Sequence, residues 1–514
     1  MNKKIIVSII TIMIMILGYI QVKPLFKNTP SENFKPINIS EANLNKQDKN
    51  MALSFLYNIS KYKHPTGSDD IHKVRDYIIS CLEQINAKYT IQTRNLDENF
   101  FTEIKNDTRI KLNGIKNDYY EMIKKQTQDG NVDSFIKNNS DYNSFDEFYN
   151  NEIAQGKSIE ETLEHTYNER LEKYNGQTLT NILVSLSQYE KKNTQNILFV
   201  AHYDSTKDSY GASDDGMAVA GLLETIRLLN NKNFENNIYV LFTDGEEENF
   251  WGANEFIKNN TIKYDLIINF DNSGSNGHLL LYHYSNDNIA KQTFKAISKE
   301  SSYSLTNDIL YNHESNFYQG EASDAFLFIK NGYTVLDFAL SSTPYNYHSE
   351  NDSFKNISID SLNDMTTSMI EMVNYYGNNN VEIATNEKFI NFKIITGFEL
   401  SLKQSIYNVI SVILIIISIC YIFIMFKKKD KVIKKIFSII LSIISILVLV
   451  LFKQLSILSI IPVIIMLLAD FIKDEKKKTV FKIIAFELYL FIMVQLLVPL
   501  IEYLIWVTQL WGKG

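Results

Sequence analysis

Cysteine is nearly absent from this chain. Among 514 residues there are only Cys81 and Cys420, which leaves neither a disulfide framework nor a thiolate metal site. A small secreted fold stapled by disulfides is excluded with them. The chain has no glycine-rich phosphate loop and no internal repeat. Positive charge is scarce in the middle of the chain. The formal net charge is -8, but residues 23–404 carry -17, residues 1–22 carry +2 and residues 405–514 carry +7. An acidic middle offers no basic face for phosphate, so nucleic acid is excluded as its partner.

Long apolar runs are plentiful at both ends. Residues 5–22, IIVSIITIMIMILGYIQV, follow Lys3 and Lys4. No small-x-small cleavage site follows, and the run exceeds the usual ~7–15 residue core of a cleaved signal. Residues 1–22 are therefore expected to form an uncleaved signal anchor. Four more runs occupy residues 405–426, 436–452, 455–472 and 480–507, each close to the ~20 residues that cross a bilayer. They leave no polar face for water, which excludes buried helices of a soluble domain. The clusters KKKDKVIKK at 427–435 and KDEKKK at 473–478 are expected on the cytoplasmic side. Only Lys453 and Gln454 separate the second and third runs, so those helices form a hairpin. With the N-terminus inside, residues 23–404 lie outside the cytoplasm and the parity closes. The lipid bilayer is thus one expected partner, and the location a multi-pass membrane.

Between the anchors, composition divides the chain. Residues 23–50 are polar and rich in Asn, Lys and Pro, as a linker is. Residues 51–93 read as helix, loop, helix and strand, with Pro65 and Gly67 breaking the loop. Residues 95–180 are rich in Asn, Asp, Lys and Glu and read as a partly helical insertion that covers or flanks the site. From 181 short β-rich apolar runs alternate with helical stretches: NILVSLS, NILFVAHYD, NIYVLFTDG, LIINFDNSG and TVLDFALS. That alternation predicts an α/β domain with a largely parallel sheet over 51–385, followed by a linker at 386–404 and a four-helix membrane part at 405–507.

In such sheets, ligands bind outside the carboxyl ends of the strands. The chemistry-bearing residues fall there. His202 and Asp204 end one strand, Glu246 and Glu247 another, and Asp271 a third. Asp214 and Asp215 open a helix, and His348 lies in the loop after TVLDFAL. Catalytic zinc takes imidazole nitrogen and carboxylate oxygen and keeps a position for water. Two such ions sharing a carboxylate need about five ligands and a free carboxylate as base, and this inventory is present. Asp204, two residues beyond His202, points to the same strand face and is suited to hold the other imidazole nitrogen. Singly, each motif has an ordinary explanation: a surface pair, an N-cap, a solvated acidic face, a loop histidine. Their joint order and placement carry the argument.

AHYDS, GASDDG, FTDGEEENFWGANEF, NFDNSG and YHSENDS resemble, in order, the motifs of peptidase family M28, zinc metallopeptidases that include bacterial aminopeptidases. The resemblance spans residues 50–375 apart from the insertion. It implies a three-layer α/β/α domain with a mixed sheet and two zinc ions per chain. Carried over, His202, Asp214 and Asp271 would bind one ion. Asp214, Glu247 and His348 would bind the second, with Asp214 bridging. Glu246 would be the general base that takes a proton from the attacking water, and Asp204 the carboxylate that orients His202. A cis peptide is implied at Asp214–Asp215. HPTGS at 64–68 and SDAF at 323–326 match further landmarks, although Phe326 departs from the usual pattern. The base and ligand could also be Glu247 and Glu248. Family spacing favours Glu246 and Glu247, since Gly252 and Phe256 then take the expected offsets. The implied substrate is the N-terminus of a peptide or protein. Alternatives are a glutaminyl-cyclase-like acyltransferase with one zinc, a receptor-like ectodomain without activity, and a transporter with an accessory ectodomain.

Overall fold

The computed structural model describes residues 28–37, 51–297, 305–306, 323–383, 389–406 and scattered positions to 416, apart from 128–129, 155–156, 188–190, 343 and 396–397. The five apolar runs at 5–22 and beyond 404 lie outside these residues, except for a few positions between 405 and 416. Among the described residues no helix is long and apolar enough to cross a membrane.

The chain forms two compact units, one drawn from Met1–Gln92 with Asn181–Gly514 and one from Thr93–Thr180. The first is an α/β unit built on a mixed sheet. Its strands are β1 (Lys88–Leu96), β2 (Gln177–Ser185), β3 (Asn196–His202), β4 (Asn237–Thr243), β5 (Leu266–Phe270), β6 (Asn276–Tyr284), β7 (Leu305–Thr306) and β8 (Val335–Ser342). Their order is β1-β2-β4-β3-β5-β8-β6-β7. The centre, β4-β3-β5-β8, is parallel. β2 and β6 run antiparallel beside it.

These four central strands are mostly apolar because both faces are covered, and the mid-strand exceptions, Asn269 of β5 and Asp337 of β8, bond each other at 2.9 Å. In β3, Ile197, Phe199 and Ala201 face one core with Ile238, Val240 and Phe242. Leu198 and Val200 face a second core with Tyr239, Leu241 and Ile267. Helices α1 (Ala52–Ile59), α2 (Asp69–Ile85), α6 (Met217–Leu229), α8 (Asp287–Ala296) and α10 (Ile359–Asn378) contribute to the first core. Helices α7 (Trp251–Asn259) and α9 (Asp324–Lys330) contribute to the second. α6 is buried almost all round, down to a paired Glu224 and Arg227 at 2.7 Å. Residues 28–37, expected as linker, lie against the unit instead. Phe34 packs against Tyr57 and Phe354, and the Ile37 N–H donates to Ser54 Oγ.

The second unit holds α3 (Glu98–Lys124), α4 (Val132–Asn139) and α5 (Ile159–Tyr174). Ile123, Val132, Ile136, Phe145 and Tyr149 form its small core. Ser158 and Glu161 close a capping box at the start of α5, satisfying two N–H groups that a helix start leaves open. The Arg109 guanidinium grips Glu160 with two hydrogen bonds of 2.8 and 2.9 Å.

Candidate metal centre

Parallel pairing aligns the carboxyl ends of β3, β4, β5 and β8, and the residues singled out from sequence meet there. His202 closes β3, in register with Thr243 at the end of β4. Glu246 and Glu247 follow β4, Asp271 follows β5, and His348 lies on the loop after β8. Asp214 sits in the bend that leads into α6, with φ -110° and ψ 90°. Its peptide bond to Asp215 is cis.

The side chains converge as two groups. His202, Glu246 and Asp271 offer atoms within 4.8 Å of one another, and so do Asp214, Glu247 and His348. Asp214 lies between them. Its Oδ1 is 3.1 Å from His202 Nε2, and its Oδ2 is 3.2 Å from His348 Nε2. His348 Nε2 is also 3.2 Å from Glu247 Oε2, and His202 Nε2 is 3.8 Å from Asp271 Oδ1. Two ligands about 2.0–2.1 Å from one tetrahedral ion stand roughly 3.4 Å apart, so these spacings suit cations. The donor set is imidazole and carboxylate, without thiolate. Glu247 Oε1 is buried and has no hydrogen-bond partner, as a carboxylate awaiting a cation would be.

Charge points the same way. Burial pushes the carboxyls of Glu246 and Asp271 up, and the charge of Asp271 adds to the rise at Glu246. Burial and then the charge of Asp214 push Glu247 to about 8. Burial, with Asp204 and Asp271 adding, raises Asp324 to about 7. For Asp214 burial opposes ionisation, but the hydrogen bonds from His202 and His348 outweigh it and hold this carboxyl low. At the imidazoles carboxylate partners overcome burial: Asp204, Asp214 and Asp271 raise His202 well above its ordinary value, and Asp214 and Glu247 raise His348 to about 10. So many carboxylates in one buried pocket call for compensating positive charge. The cluster opens to solvent beside His348, whose side chain is 34% exposed against 1% for His202. The Tyr347 ring stacks on His348 at a centroid distance of 3.7 Å.

Asp204 was expected to grip the second imidazole nitrogen. His202 Nδ1 is 3.1 Å from the Asp204 backbone oxygen and 3.5 Å from its carboxylate. The carboxylate accepts the N–H groups of Glu246 at 3.1 Å and Glu247 at 3.2 Å, together with the Thr66 hydroxyl at 3.2 Å. Asp204 thereby also sets the loop that carries both glutamates.

Two further residues hold the Asp214 bend. The Asn272 amide donates to the Ser213 carbonyl at 3.1 Å and to Asp215 Oδ1 at 2.9 Å, and its own oxygen accepts from the Leu340 N–H. Asp352, wholly buried, accepts from Ser213 N–H at 2.7 Å, Ser213 hydroxyl at 2.6 Å, Asp214 N–H at 3.2 Å and Ser209 hydroxyl at 3.2 Å. Burial and the nearby Asp214 charge raise it to about 6. Both residues lie inside recognised motifs, NFDNSG and YHSENDS, but their composition is that of any turn.

An α/β unit whose strand ends gather two groups of imidazole and carboxylate ligands has the architecture of a metal-dependent hydrolase. Residues 181–373 match the model of Peptidase family M28. A vacuolar membrane protease of Candida tropicalis is 29% identical over 187 residues, covering 36% of this chain and 20% of that protein. The match therefore spans about a fifth of that relative's length. Among solved structures, a zinc aminopeptidase from Bacillus subtilis is 20% identical with a TM-score of 0.33, covering 40% of this chain and 52% of its own. An aminopeptidase from Aneurinibacillus sp. strain AM-1 is 15% identical with a TM-score of 0.44, covering 67% and 97%.

Proposed function

We propose that this protein is a membrane-anchored zinc exopeptidase that removes N-terminal residues from peptides outside the cytoplasm. The observation that carries the reading is Asp214, whose two oxygens face two histidines at 3.1 and 3.2 Å. On this reading His202, Asp214 and Asp271 hold one zinc ion, and Asp214, Glu247 and His348 hold another. Bound there, zinc supplies Lewis acidity toward a carbonyl and eases loss of a proton from water.

Glu246 is the general base. It stands in the same group as His202 and Asp271, but the shared role of Asp214 already completes that group, which frees Glu246 for proton transfer. Its carboxylate takes a proton from the attacking water as the water oxygen bonds to the scissile carbonyl carbon. The carbon–nitrogen bond then breaks, and Glu246 returns the proton to the departing amine. Burial beside Asp271 and Glu247 raises its basicity, as that task requires. Asp204 positions the loop on which Glu246 sits.

The apolar runs at 5–22 and 405–507 with their lysine clusters, and the printed name of the vacuolar membrane relatives, support the anchor. On this reading residues 51–385 are the peptidase domain and 95–180 its insertion. The test is metal analysis of the purified full-length chain with a substrate screen. Two zinc ions per chain, hydrolysis of aminoacyl amides but not of N-acetylated counterparts, and loss of rate on chelation are expected. One zinc ion with cyclisation of N-terminal glutamine would replace this reading by a glutaminyl cyclase. Cleavage of blocked peptides would replace it by an endopeptidase.

A further inference from the structure

Asp352 joins the two loops that would build the second metal position. It lies four residues after His348, and its carboxylate is wholly buried. Its Oδ1 accepts from the Ser213 N–H and hydroxyl, and its Oδ2 from the Asp214 N–H and Ser209 hydroxyl. Its backbone carbonyl accepts the Ala212 N–H at 3.4 Å, and its backbone N–H donates to the Ser349 carbonyl at 2.9 Å. One residue thus hydrogen-bonds the segment from Ser209 to Asp214 on one side and the turn after His348 on the other.

The two groups of ligands depend on that joint unequally. In the group of Asp214, Glu247 and His348, two of three members stand on the loops that Asp352 connects. On the two-zinc reading the other position shares Asp214 but takes His202 and Asp271 from the ends of β3 and β5, where His202 pairs with Thr243 of β4 and the Asp271 N–H donates to the Phe338 carbonyl at 2.9 Å. We infer that Asp352 is a positioning residue that sets the affinity of the His348 side of the centre for its metal, and does so more than for the His202 side. The inference rests on the two-zinc reading above.

The chemistry gives the variant its effect. In D352N one oxygen becomes an amide nitrogen, which cannot accept. Either the Ser213 donors or the Asp214 N–H and Ser209 hydroxyl then face a donor, and the bend loses half its anchorage. Replacing such a partner behind a metal ligand weakens metal affinity roughly 10- to 100-fold.

The experiment titrates zinc into metal-free full-length protein, wild type and D352N, against a fluorescent chelator, with melting followed in parallel. Wild type taking up one zinc ion would sink the two-metal reading itself. With two bound by wild type, the expected result for D352N is one zinc ion held roughly 10- to 100-fold more weakly and the other, which shares only Asp214 with this joint, weakened clearly less. Equal affinities in both proteins overturn the inference. So does a parallel loss at both positions alongside a lower melting temperature, which marks a merely structural role. If D352N does not fold, S213A reads the same joint, because it removes only the hydroxyl bonded at 2.6 Å. Selective weakening of one zinc ion in S213A supports the inference, and two unchanged affinities overturn it.

Discussion

Glu246→Gln should change stability and rate in opposite directions. The side chain is 8% exposed and surrounded by acids. Burial, then the charges of Asp271 and Glu247, push its carboxyl well above the ordinary range. An acid raised in this way adds stability that is complete below its unfolded value, near 4.3, and is lost as pH climbs through its folded value. Glutamine has the same shape and no such loss. The metal-free variant should therefore match wild type at pH 4 and become more stable than wild type as pH rises to 8. In the zinc-loaded protein the gain should shrink, because the cations already offset the crowding. The rate should fall by about 10²–10⁴-fold, the share a positioned general base supplies, equivalent to about 3–5 kcal/mol in the barrier. Urea melts of the metal-free proteins at pH 4, 6 and 8, zinc content, and kcat on one aminoacyl amide make the comparison. A variant that binds two zinc ions and keeps the wild-type kcat would refute the role of Glu246. A metal-free variant less stable than wild type at pH 8 would refute the electrostatic argument.

Other outcomes follow from the same geometry. Glu247 at about 8, Asp324 at about 7 and Asp352 at about 6 are all raised acids, and their combined stabilising contribution should drain from the metal-free protein between pH 4 and 8; zinc should raise the melting temperature more at pH 8 than at pH 5. Zinc uptake at pH 7 should release protons, because His348, raised to about 10 by its carboxylate neighbours against the pull of burial, must lose one to become a ligand; calorimetry in buffers of different ionisation enthalpy counts them. Asp204→Asn should leave one buried N–H of Glu246 or Glu247 without an acceptor, costing about 1–3 kcal/mol, and should lower kcat/KM by roughly 10- to 100-fold; an unchanged kcat/KM would remove Asp204 from the positioning role. Gly252→Ala would set a methyl 2.2 Å from the Asp244 carbonyl oxygen and 2.6 Å from Asn181 Oδ1; overpacking of about 1–3 kcal/mol should show as a lower melting temperature, and a neutral substitution would mean the start of α7 yields easily.

Much of the α/β unit was legible because its centre obeys one rule. Strands buried on both faces are apolar at most positions, and a titratable side chain at or just beyond the end of such a run stands out. That is how Glu246, Asp271 and His202 could be read. The limits are equally physical. Alternation along β3 pointed Asp204 at the His202 imidazole, and its carboxylate lies 3.5 Å from Nδ1, but nothing local announced that it also holds the N–H groups of Glu246 and Glu247. β6 carries His283 opposite Asp337, which breaks its apolar run, and β1 is mostly exposed, so neither outer strand had the pattern of the centre. Asn272 and Asp352 act through backbone partners up to 139 residues away. Such partners are chosen by the fold, and no local spacing announces them.

Two of the side chains that hold the bend at Asp214 come from late in the chain. Asn272 must arrive from beyond β5 and Asp352 from beyond β8 before both of its flanks are secured. A chain emerging from the ribosome carries Asp204, Asp214, Glu246, Glu247 and Asp271 well before His348. The order of synthesis therefore makes the short stretch around 348–352 the final part of the centre. On the two-zinc reading, a chain cut off ahead of that stretch would lack both His348 and the brace that Asp352 provides, and with them one of the two proposed positions.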